Sequence, residues 1–286
     1  MRFELQQAGS IEEAVSLLSK HGEDARVIAG GQSLLLMIRA GLVRPCVLVS
    51  LGSLEGLERI ETTSEGGVHL GTLTTHRQIL QSEVVNERAA VLVQAVGQIG
   101  STPVRNFGTI GGNVCHNEMG SDPPSALLAL DAKVECLSIR GRRKMPLDAF
   151  LTGYFETCLE PDEILTGIEI PALPQGSRAV YLKHAIRAGD LAIVGVAALL
   201  EVRDGFCQEA RLVLGGVGPV SFRALEAEKL LRQQPLTDDL IDAAAAAAAA
   251  MSDPLSDAHA SADYRRKMVR VFVRRAIHEA MREAKR

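Results

Sequence analysis

Two glycine pairs, far apart in the chain, constrain most strongly what this sequence can fold into. The first lies in Ala29-Gly30-Gly31-Gln32-Ser33 and the second in Thr109-Ile110-Gly111-Gly112-Asn113. Because glycine has no Cβ, its backbone can adopt positive φ and approach a ligand closely. Consecutive N–H groups can then form a concave site that binds phosphate. We interpret the two segments as opposite walls of one anion site, an arrangement that suits a diphosphate.

The surroundings of the first pair support this interpretation. An apolar run from Arg26 to Ala29 precedes it, and Leu34 to Ile38 follows it. This order indicates a strand, a tight turn and the start of a helix, where N–H groups and the helix dipole favour an anion. Either pair alone is more typical of a tight turn in an ordinary α/β domain than of an anion site. The two together, each followed by Ser or Asn, favour a nucleotide.

Length and charge exclude several classes of protein. The chain has 286 residues and a formal net charge of −4, so it contains one large domain or two, and it offers no basic surface for nucleic acid or anionic lipid. No apolar run reaches the roughly 18 residues of a membrane span. The segment Met1 to Gln7 lacks the basic and apolar regions of a signal peptide. We therefore expect a cytoplasmic protein.

The cysteines give no sign of a metal site. There are five, and no two are spaced as Cys-x-x-Cys. An odd and scattered set argues against a disulfide framework, and against zinc or an iron–sulfur cluster held by this chain alone. We expect no metal site, and we predict that the cysteines serve as small buried apolar residues.

The pattern of elements predicts an α+β protein in two parts. Residues 1–175 form a two-lobed α/β region, with lobes of about 1–55 and 56–175, and residues 176–286 form a C-terminal α+β domain. The proline- and glycine-containing segment Pro171 to Gly176 marks the boundary. The C-terminal part is predicted to contain a three-stranded antiparallel sheet and helices, including an alanine-rich helix and one from about Ala262. The predicted strands are Ala179 to Ile186, Ile193 to Val202 and Ala210 to Leu214.

Three local patterns in the first part lead to further predictions. Apolar spacing predicts one helix from Glu83 to Ile99. Asp122-Pro123-Pro124 predicts a turn before a short helix from Ser125 to Leu130. Gly141-Arg142-Arg143-Lys144 is interpreted as a basic turn at a solvated hairpin tip.

At the level of motifs, the sequence resembles one family. Ala-Gly-Gly-Gln-Ser-Leu-Leu at 29–35 and Arg-Asn-Phe-Gly-Thr-Ile-Gly-Gly-Asn at 105–113 resemble the FAD-binding medium subunit of the molybdenum hydroxylases. This family includes xanthine dehydrogenase and aerobic carbon monoxide dehydrogenase. Leu214 to Val217 and Ser261 to Arg266 resemble its C-terminal domain. The resemblance implies an FAD-binding domain of the PCMH type in residues 1–175.

The resemblance also implies a function and partners. A large subunit bearing a molybdenum pterin would hydroxylate a substrate, and electrons would pass through two iron–sulfur (2Fe–2S) clusters of a small subunit. They would reach FAD on this chain and leave to an external acceptor. The family implies a dimer of such heterotrimers.

Matching positions imply the FAD contacts. The first loop supplies Ala29, Gly30, Gly31, Gln32, Ser33 and Leu34; the second supplies Thr109, Gly111, Gly112 and Asn113; and Ile99, Gly100, Asp122, Leu165 and Lys183 lie nearer the flavin. Lys183 could polarise the reduced flavin, or it could be a surface lysine. No histidine stands at Ala29, where related flavoproteins bind FAD covalently, so non-covalent FAD is expected.

Two other functions remain open from the residues alone. A self-sufficient flavin enzyme would need an acid or base over the flavin, for which His116, Glu118 and His184 are candidates, but no catalytic residue is assigned. His116 to Met119 departs from the family pattern and either alters the pocket or forms a variable surface loop. A scaffold subunit that has lost its cofactor is the third possibility, which the intact glycines disfavour.

Overall fold

The computed structural model describes residues 3–283, which form four β-sheets and the helices packed on them. The strands are β1 (Glu4–Gln7), β2 (Ala25–Ile28), β3 (Val47–Ser50), β4 (Ile60–Thr62), β5 (Val68–Gly71), β6 (Lys133–Ser138), β7 (Gly141–Pro146), β8 (Leu151–Gly153), β9 (Glu156–Thr157), β10 (Ile164–Ile170), β11 (Ser177–His184), β12 (Val194–Arg203), β13 (Phe206–Gly215) and β14 (Phe222–Arg223). The helices are α1 (Ile11–His21), α2 (Leu34–Arg39), α3 (His76–Gln81), α4 (Glu83–Arg88), α5 (Ala90–Gly97), α6 (Thr102–Phe107), α7 (Ile110–His116), α8 (Asp122–Ala129), α9 (Leu147–Phe150), α10 (Leu225–Leu231), α11 (Asp238–Met251) and α12 (Ala262–Glu283).

A three-stranded parallel sheet in the order β1-β3-β2 forms the first lobe. Helix α1 buries Ala14, Val15 and Leu18 in the same apolar cluster as β3. The carboxyl ends of parallel strands lie at one edge of a sheet, which is where ligands of α/β folds bind. The first glycine pair follows β2 directly and therefore lies at that edge.

An antiparallel sheet in the order β4-β5-β10-β6-β7 forms the second lobe. Its core is an apolar cluster shared with the surrounding helices, including the fully buried Leu70, Leu92, Ile110, Leu127 and Ile168. Helix α8 is buried along its whole length. It packs on α5 and also on strands of the C-terminal sheet, so both of its sides are covered.

The C-terminal sheet is antiparallel and has four strands, in the order β11-β12-β13-β14. The prediction of three strands misses β14, a two-residue strand that pairs with β13, because so short an element shows no alternation. One face of the sheet contacts α5 and α8. The other contacts α10 and α12, and α11 packs on these two helices. The predicted α+β class is confirmed, as are the alanine-rich helix (α11) and the last helix (α12).

Three of the local predictions in the first part are wrong. The helix predicted from Glu83 to Ile99 is broken at Ala89, whose φ of −146° and ψ of 43° are not helical. Apolar residues keep a helical spacing on both sides of the break, so periodicity does not reveal it. Helix α8 begins at Asp122, so Asp122-Pro123-Pro124 forms its first turn and not a separate turn before it. Proline is tolerated there because the N–H group that it lacks would have no hydrogen-bond partner in the first turn of a helix.

The predicted basic turn is part of strand β7. Arg143 pairs with the buried carboxylate of Glu163, with Nε 2.8 Å from Oε1, and Lys144 pairs with Glu169 and Glu135. These carboxylates come from β6, from β10 and from just before β10, contacts that local sequence does not show. No helix in residues 3–283 has both the length and the apolar character needed to cross a bilayer.

Candidate functional site

The first glycine pair presents a row of unpaired backbone donors. The N–H groups of Gly30, Gly31, Gln32, Ser33 and Leu34 donate to no acceptor in the described part of the chain. Gly31 has a φ of +69°, a conformation that favours glycine. Nearby, the Gln32 amide donates to the Gly30 carbonyl at 3.0 Å and holds the turn closed. Such a row of donors before a helix fits an anionic group.

Gly30 brings this loop against the segment that precedes the second pair. A Cβ on Gly30 would lie 1.7 Å from the carbonyl oxygen of Phe107 and 3.2 Å from the Cα of Gly108. No side chain fits in that space, so the close approach requires glycine. The first predicted wall therefore contacts the backbone immediately before the second one.

The second pair is not a loop, which corrects the prediction of a second backbone nest. Thr109 is the N-cap of α7, and Gly111 and Gly112 lie in its first turn. The N–H groups of Ile110 and Gly111 donate to the carbonyls of Thr74 and Thr72 at 2.8 and 3.0 Å, and that of Gly112 donates to the Thr109 hydroxyl at 3.1 Å. These three donors are occupied inside the protein, so they do not form a free nest; the predicted FAD contact of Gly111 and Gly112 stays a prediction.

Side chains at α7 still provide donors. Ser121 donates to Asn113 Oδ1 at 2.9 Å, which fixes the amide and leaves its Nδ2 hydrogens without an acceptor among residues 3–283. The Thr109 hydroxyl accepts from Gly112 and has its own hydrogen free to donate. Gly111 packs on Thr72, where a Cβ would lie 1.8 Å from the hydroxyl oxygen. Gly111 thus serves close packing. Thr109 and Asn113 have free donor hydrogens, and the hydrogen bonds predicted from them to FAD stay a prediction.

Asp122 and Lys183 form a buried ion pair. Lys183 Nζ lies 2.8 Å from Asp122 Oδ2, and the two side chains are 5% and 4% exposed. Lys183 is therefore not a surface lysine. Nζ also donates to the Gln98 carbonyl at 3.2 Å. Burial raises the pKa of the Asp122 carboxyl, and the Lys183 charge together with hydrogen bonds from Lys183 and Tyr181 opposes that rise.

A cavity of about 190 Å³ adjoins this pair, and Gln98, Lys183 and residues 185–189 line it. Gly189 packs on the backbone of Gly100, since a Cβ there would lie 2.8 Å from the Gly100 oxygen. Arg105 donates to the Ile99 and Gly100 carbonyls at 2.6 and 3.2 Å. The structure thus brings the predicted residues Ile99, Gly100, Asp122 and Lys183 into one region.

Leu165 is placed differently. It is 2% exposed and belongs to the central apolar cluster, next to an irregularity in the pairing of β10 with β6. Its predicted contact with the flavin stays a prediction.

The acid–base candidates are not gathered in one place. His184 Nε2 lies 2.9 Å from the Tyr264 hydroxyl, and the ring stacks on Phe272 of α12. His116 is the last residue of α7, and its ring lies against the Phe155 ring at a centroid distance of 5.1 Å. Burial lowers the pKa of His116, although the Glu118 charge acts in the opposite direction.

The segment His116 to Met119 is not a free surface loop. Asn117 is 1% exposed and has a φ of 45°, and its amide donates to the carbonyls of Gly153 and Glu156 at 2.9 and 2.8 Å. The Met119 carbonyl accepts from Gly216 N at 2.8 Å. These bonds anchor the segment to the β8–β9 hairpin and to the C-terminal sheet.

Sequence reasoning missed Tyr181, whose hydroxyl donates to Asp122 Oδ1 at 2.6 Å. A signal was available, because Tyr181 and Lys183 are two residues apart on a predicted strand and so share one face. It also missed His76, which is 3% exposed and contacts Gly108. Burial, reinforced by the charge of Arg105, lowers its pKa to about 4.

No group of three or more His, Cys, Asp or Glu side chains that could hold a metal ion occurs in residues 3–283.

The fold and site together define a two-lobed nucleotide-binding protein with an appended α+β domain. The model described as "FAD binding domain in molybdopterin dehydrogenase" matches residues 1–173, and that described as "CO dehydrogenase flavoprotein C-terminal domain" matches residues 179–280. The chain belongs to this family of molybdenum hydroxylase flavoprotein subunits.

Known relatives match along nearly their full length. The 6-hydroxypseudooxynicotine dehydrogenase complex subunit alpha of Paenarthrobacter nicotinovorans is 36% identical, over 99% of this chain and 96% of the relative. A carbon monoxide dehydrogenase structure from Hydrogenophaga pseudoflava superposes with a TM-score of 0.96, at 34% identity and 98% coverage of both chains. Quinoline 2-oxidoreductase from Pseudomonas putida 86 gives 0.94, at 31% identity, with 99% of this chain and 98% of that chain covered.

These matches confirm the predicted family, the FAD-binding type of the first domain and the assignment to an oxidoreductase of several subunits. The predicted division at residue 175 stays a prediction.

Proposed function

We propose that this chain holds FAD non-covalently and transfers electrons within a molybdenum hydroxylase complex, from iron–sulfur clusters of a partner subunit to an external acceptor. FAD supplies the chemistry that links a two-electron substrate oxidation to one-electron carriers. The chain itself binds the cofactor, orients it and sets the charge around it.

The observation that carries this proposal is the row of free N–H groups from Gly30 to Leu34. A diphosphate needs several converging donors, and this loop offers them at the end of a parallel strand and the start of α2. The Thr109 hydroxyl and the Asn113 amide would add side-chain donors from α7, and the end of α6 just before it meets the loop where Phe107 contacts Gly30.

The Asp122–Lys183 pair supports a role near the ring system. The Lys183 ammonium group donates hydrogen bonds to the Asp122 carboxylate and the Gln98 carbonyl, and it lines the cavity beside them. Its ammonium group would stabilise negative charge placed in that cavity. The buried carboxylate balances this positive charge when no ligand charge is present.

The partners in this proposal are an iron–sulfur small subunit and a molybdopterin large subunit, assembled as a dimer of heterotrimers. The cytoplasmic location and the domains 1–175 and 176–286 remain predictions of the sequence.

The test is the visible spectrum of this chain purified together with its partner subunits. We expect flavin bands over a broad iron–sulfur background, and bleaching of both by a reducing substrate. A complex that contains the clusters but no flavin would refute the proposal. Turnover by the chain purified alone would instead favour the self-sufficient flavin enzyme.

A further inference from the structure

Tyr181 completes the coordination of the buried Asp122 carboxylate. Its hydroxyl donates to Oδ1 at 2.6 Å, while Lys183 occupies Oδ2 at 2.8 Å. Each carboxylate oxygen therefore has its own donor, one neutral and one charged. Both donors come from β11 and are two residues apart, so one strand face fixes both.

The surroundings reserve space for the tyrosine hydroxyl. Gly195 lies on the neighbouring strand β12, and a Cβ on it would lie 2.6 Å from the Tyr181 oxygen. The backbone N–H of Tyr181 donates to the Gln94 side chain of α5 at 2.8 Å, which fixes the strand at this point. Burial, and then the neighbouring Asp122, raise the pKa of the Tyr181 hydroxyl well above its usual value, so it stays protonated and acts as a donor.

We propose that Tyr181 is a positioning residue: its hydroxyl holds the Asp122 carboxylate ionised and oriented toward Lys183, and thereby fixes the charge that Lys183 presents to the flavin. This inference rests on the proposed FAD function for its last step only. The contact among the three side chains exists in the protein itself.

The charged groups near α8 do not take the place of the Tyr181 hydroxyl as a donor to Asp122. Those on further elements packed against α8 are engaged elsewhere: Arg211 and Arg223 with Asp131, Glu201 with Arg203, His116 against Phe155, and Asp148 with the Ala149 N–H. Without the tyrosine hydroxyl, the carboxylate would keep Lys183 as its donor and lose the second one. A buried carboxylate with one donor fewer is harder to ionise.

The experiment compares complexes carrying Tyr181→Phe, Gly195→Ala and the control Tyr154→Phe. Gly195→Ala displaces the same hydroxyl without removing it, and Tyr154 lies half-exposed on the β8–β9 hairpin. Flavin absorption and the melting temperature are followed from about pH 4.5 to 8. In Tyr181→Phe we expect the acid-side midpoint of the flavin absorption change to move up by about one pH unit. We expect Gly195→Ala to move it the same way and Tyr154→Phe to leave it unchanged.

The melting temperature tests Tyr181 without relying on flavin. If the hydroxyl stabilises the ionised carboxylate, the loss in Tyr181→Phe grows as pH rises, and it becomes independent of pH when Asp122→Asn is also present. A loss that is the same at every pH overturns the inference. A flavin absorption that responds to pH identically in wild type and Tyr181→Phe overturns the link to the flavin. A complex without flavin refutes the proposed function, while the melting data still decide the role of Tyr181.

Discussion

The carbonyl oxygen of Phe107 occupies the space that a side chain on Gly30 would fill, with a hypothetical Cβ only 1.7 Å from that oxygen. This contact joins the loop after β2 to the end of α6, which leads into α7. It holds the loop with the free N–H groups against the backbone that leads into Thr109. The site therefore depends on a glycine that needs no unusual backbone angle, only the absence of a side chain.

Gly30→Ala should consequently separate the two elements. Because the obstructing atom is backbone, the loop must shift, and we expect flavin affinity to fall at least about tenfold. Flavin absorbance per purified complex measures this. Gly97→Ala in α5 is a matched control, since its Cβ would meet only Leu80 at 3.7 Å. Equal flavin content in the two variants would contradict the assignment of this loop.

Lys183→Met should leave the Asp122 carboxylate buried without its charged partner. Breaking a buried pair from one side costs roughly 3–5 kcal/mol. Adding Asp122→Asn should restore part of this loss, because an amide has no charge to bury. Denaturant unfolding measures both variants. Lys229→Met removes an exposed ion pair and should cost less than about 1 kcal/mol, so a similar loss in Lys183→Met would argue against the pair.

Asn117→Ala should loosen the link between α7 and the β8–β9 hairpin. The change removes two hydrogen bonds and leaves a non-glycine residue at a φ of 45°. Each bond contributes about 1 kcal/mol, and the backbone conformation costs alanine another 1–2 kcal/mol or so. Asn117→Gly removes the same bonds without the strain. We expect Asn117→Gly to be the more stable of the two in thermal unfolding; the reverse order would exclude backbone strain as a cause.

His76 should make stability depend on pH. Its pKa in the folded chain is about 4, below the value of 6.5 for an unperturbed histidine, so the unfolded chain binds the proton more tightly. The stability is full above about pH 6.5 and falls as pH drops through the window toward about 4. The total loss is on the order of 3 kcal/mol. Unfolding of wild type and His76→Leu at neutral and acidic pH measures it. His259→Leu, at an exposed position, should follow wild type, and an equal acid loss in His76→Leu would exclude His76 as its origin.

The first glycine loop could be predicted because its signal is local. An apolar run, two glycines and an apolar helix follow one another in sequence, and the strand–turn–helix geometry follows from that order. The prediction of a backbone nest at Gly111 and Gly112 was wrong for a non-local reason. The carbonyls of Thr72 and Thr74 lie far away in the chain, and they occupy the N–H groups of Gly111 and Ile110.

By itself, the sequence determined the class of fold, the family and the position of the first glycine loop, and it singled out Asp122 and Lys183 as candidate site residues. Glycine content, apolar periodicity and motif order are properties of short segments, and they can be recognised without knowing which residues contact one another in the folded chain. Only the tertiary structure decided that Asp122, Tyr181 and Lys183 share one buried site, and that His116 and His184 do not. The pairing and burial of charged side chains depend on which distant elements pack together. That packing sets both their hydrogen-bond partners and the free-energy cost of burying a charge.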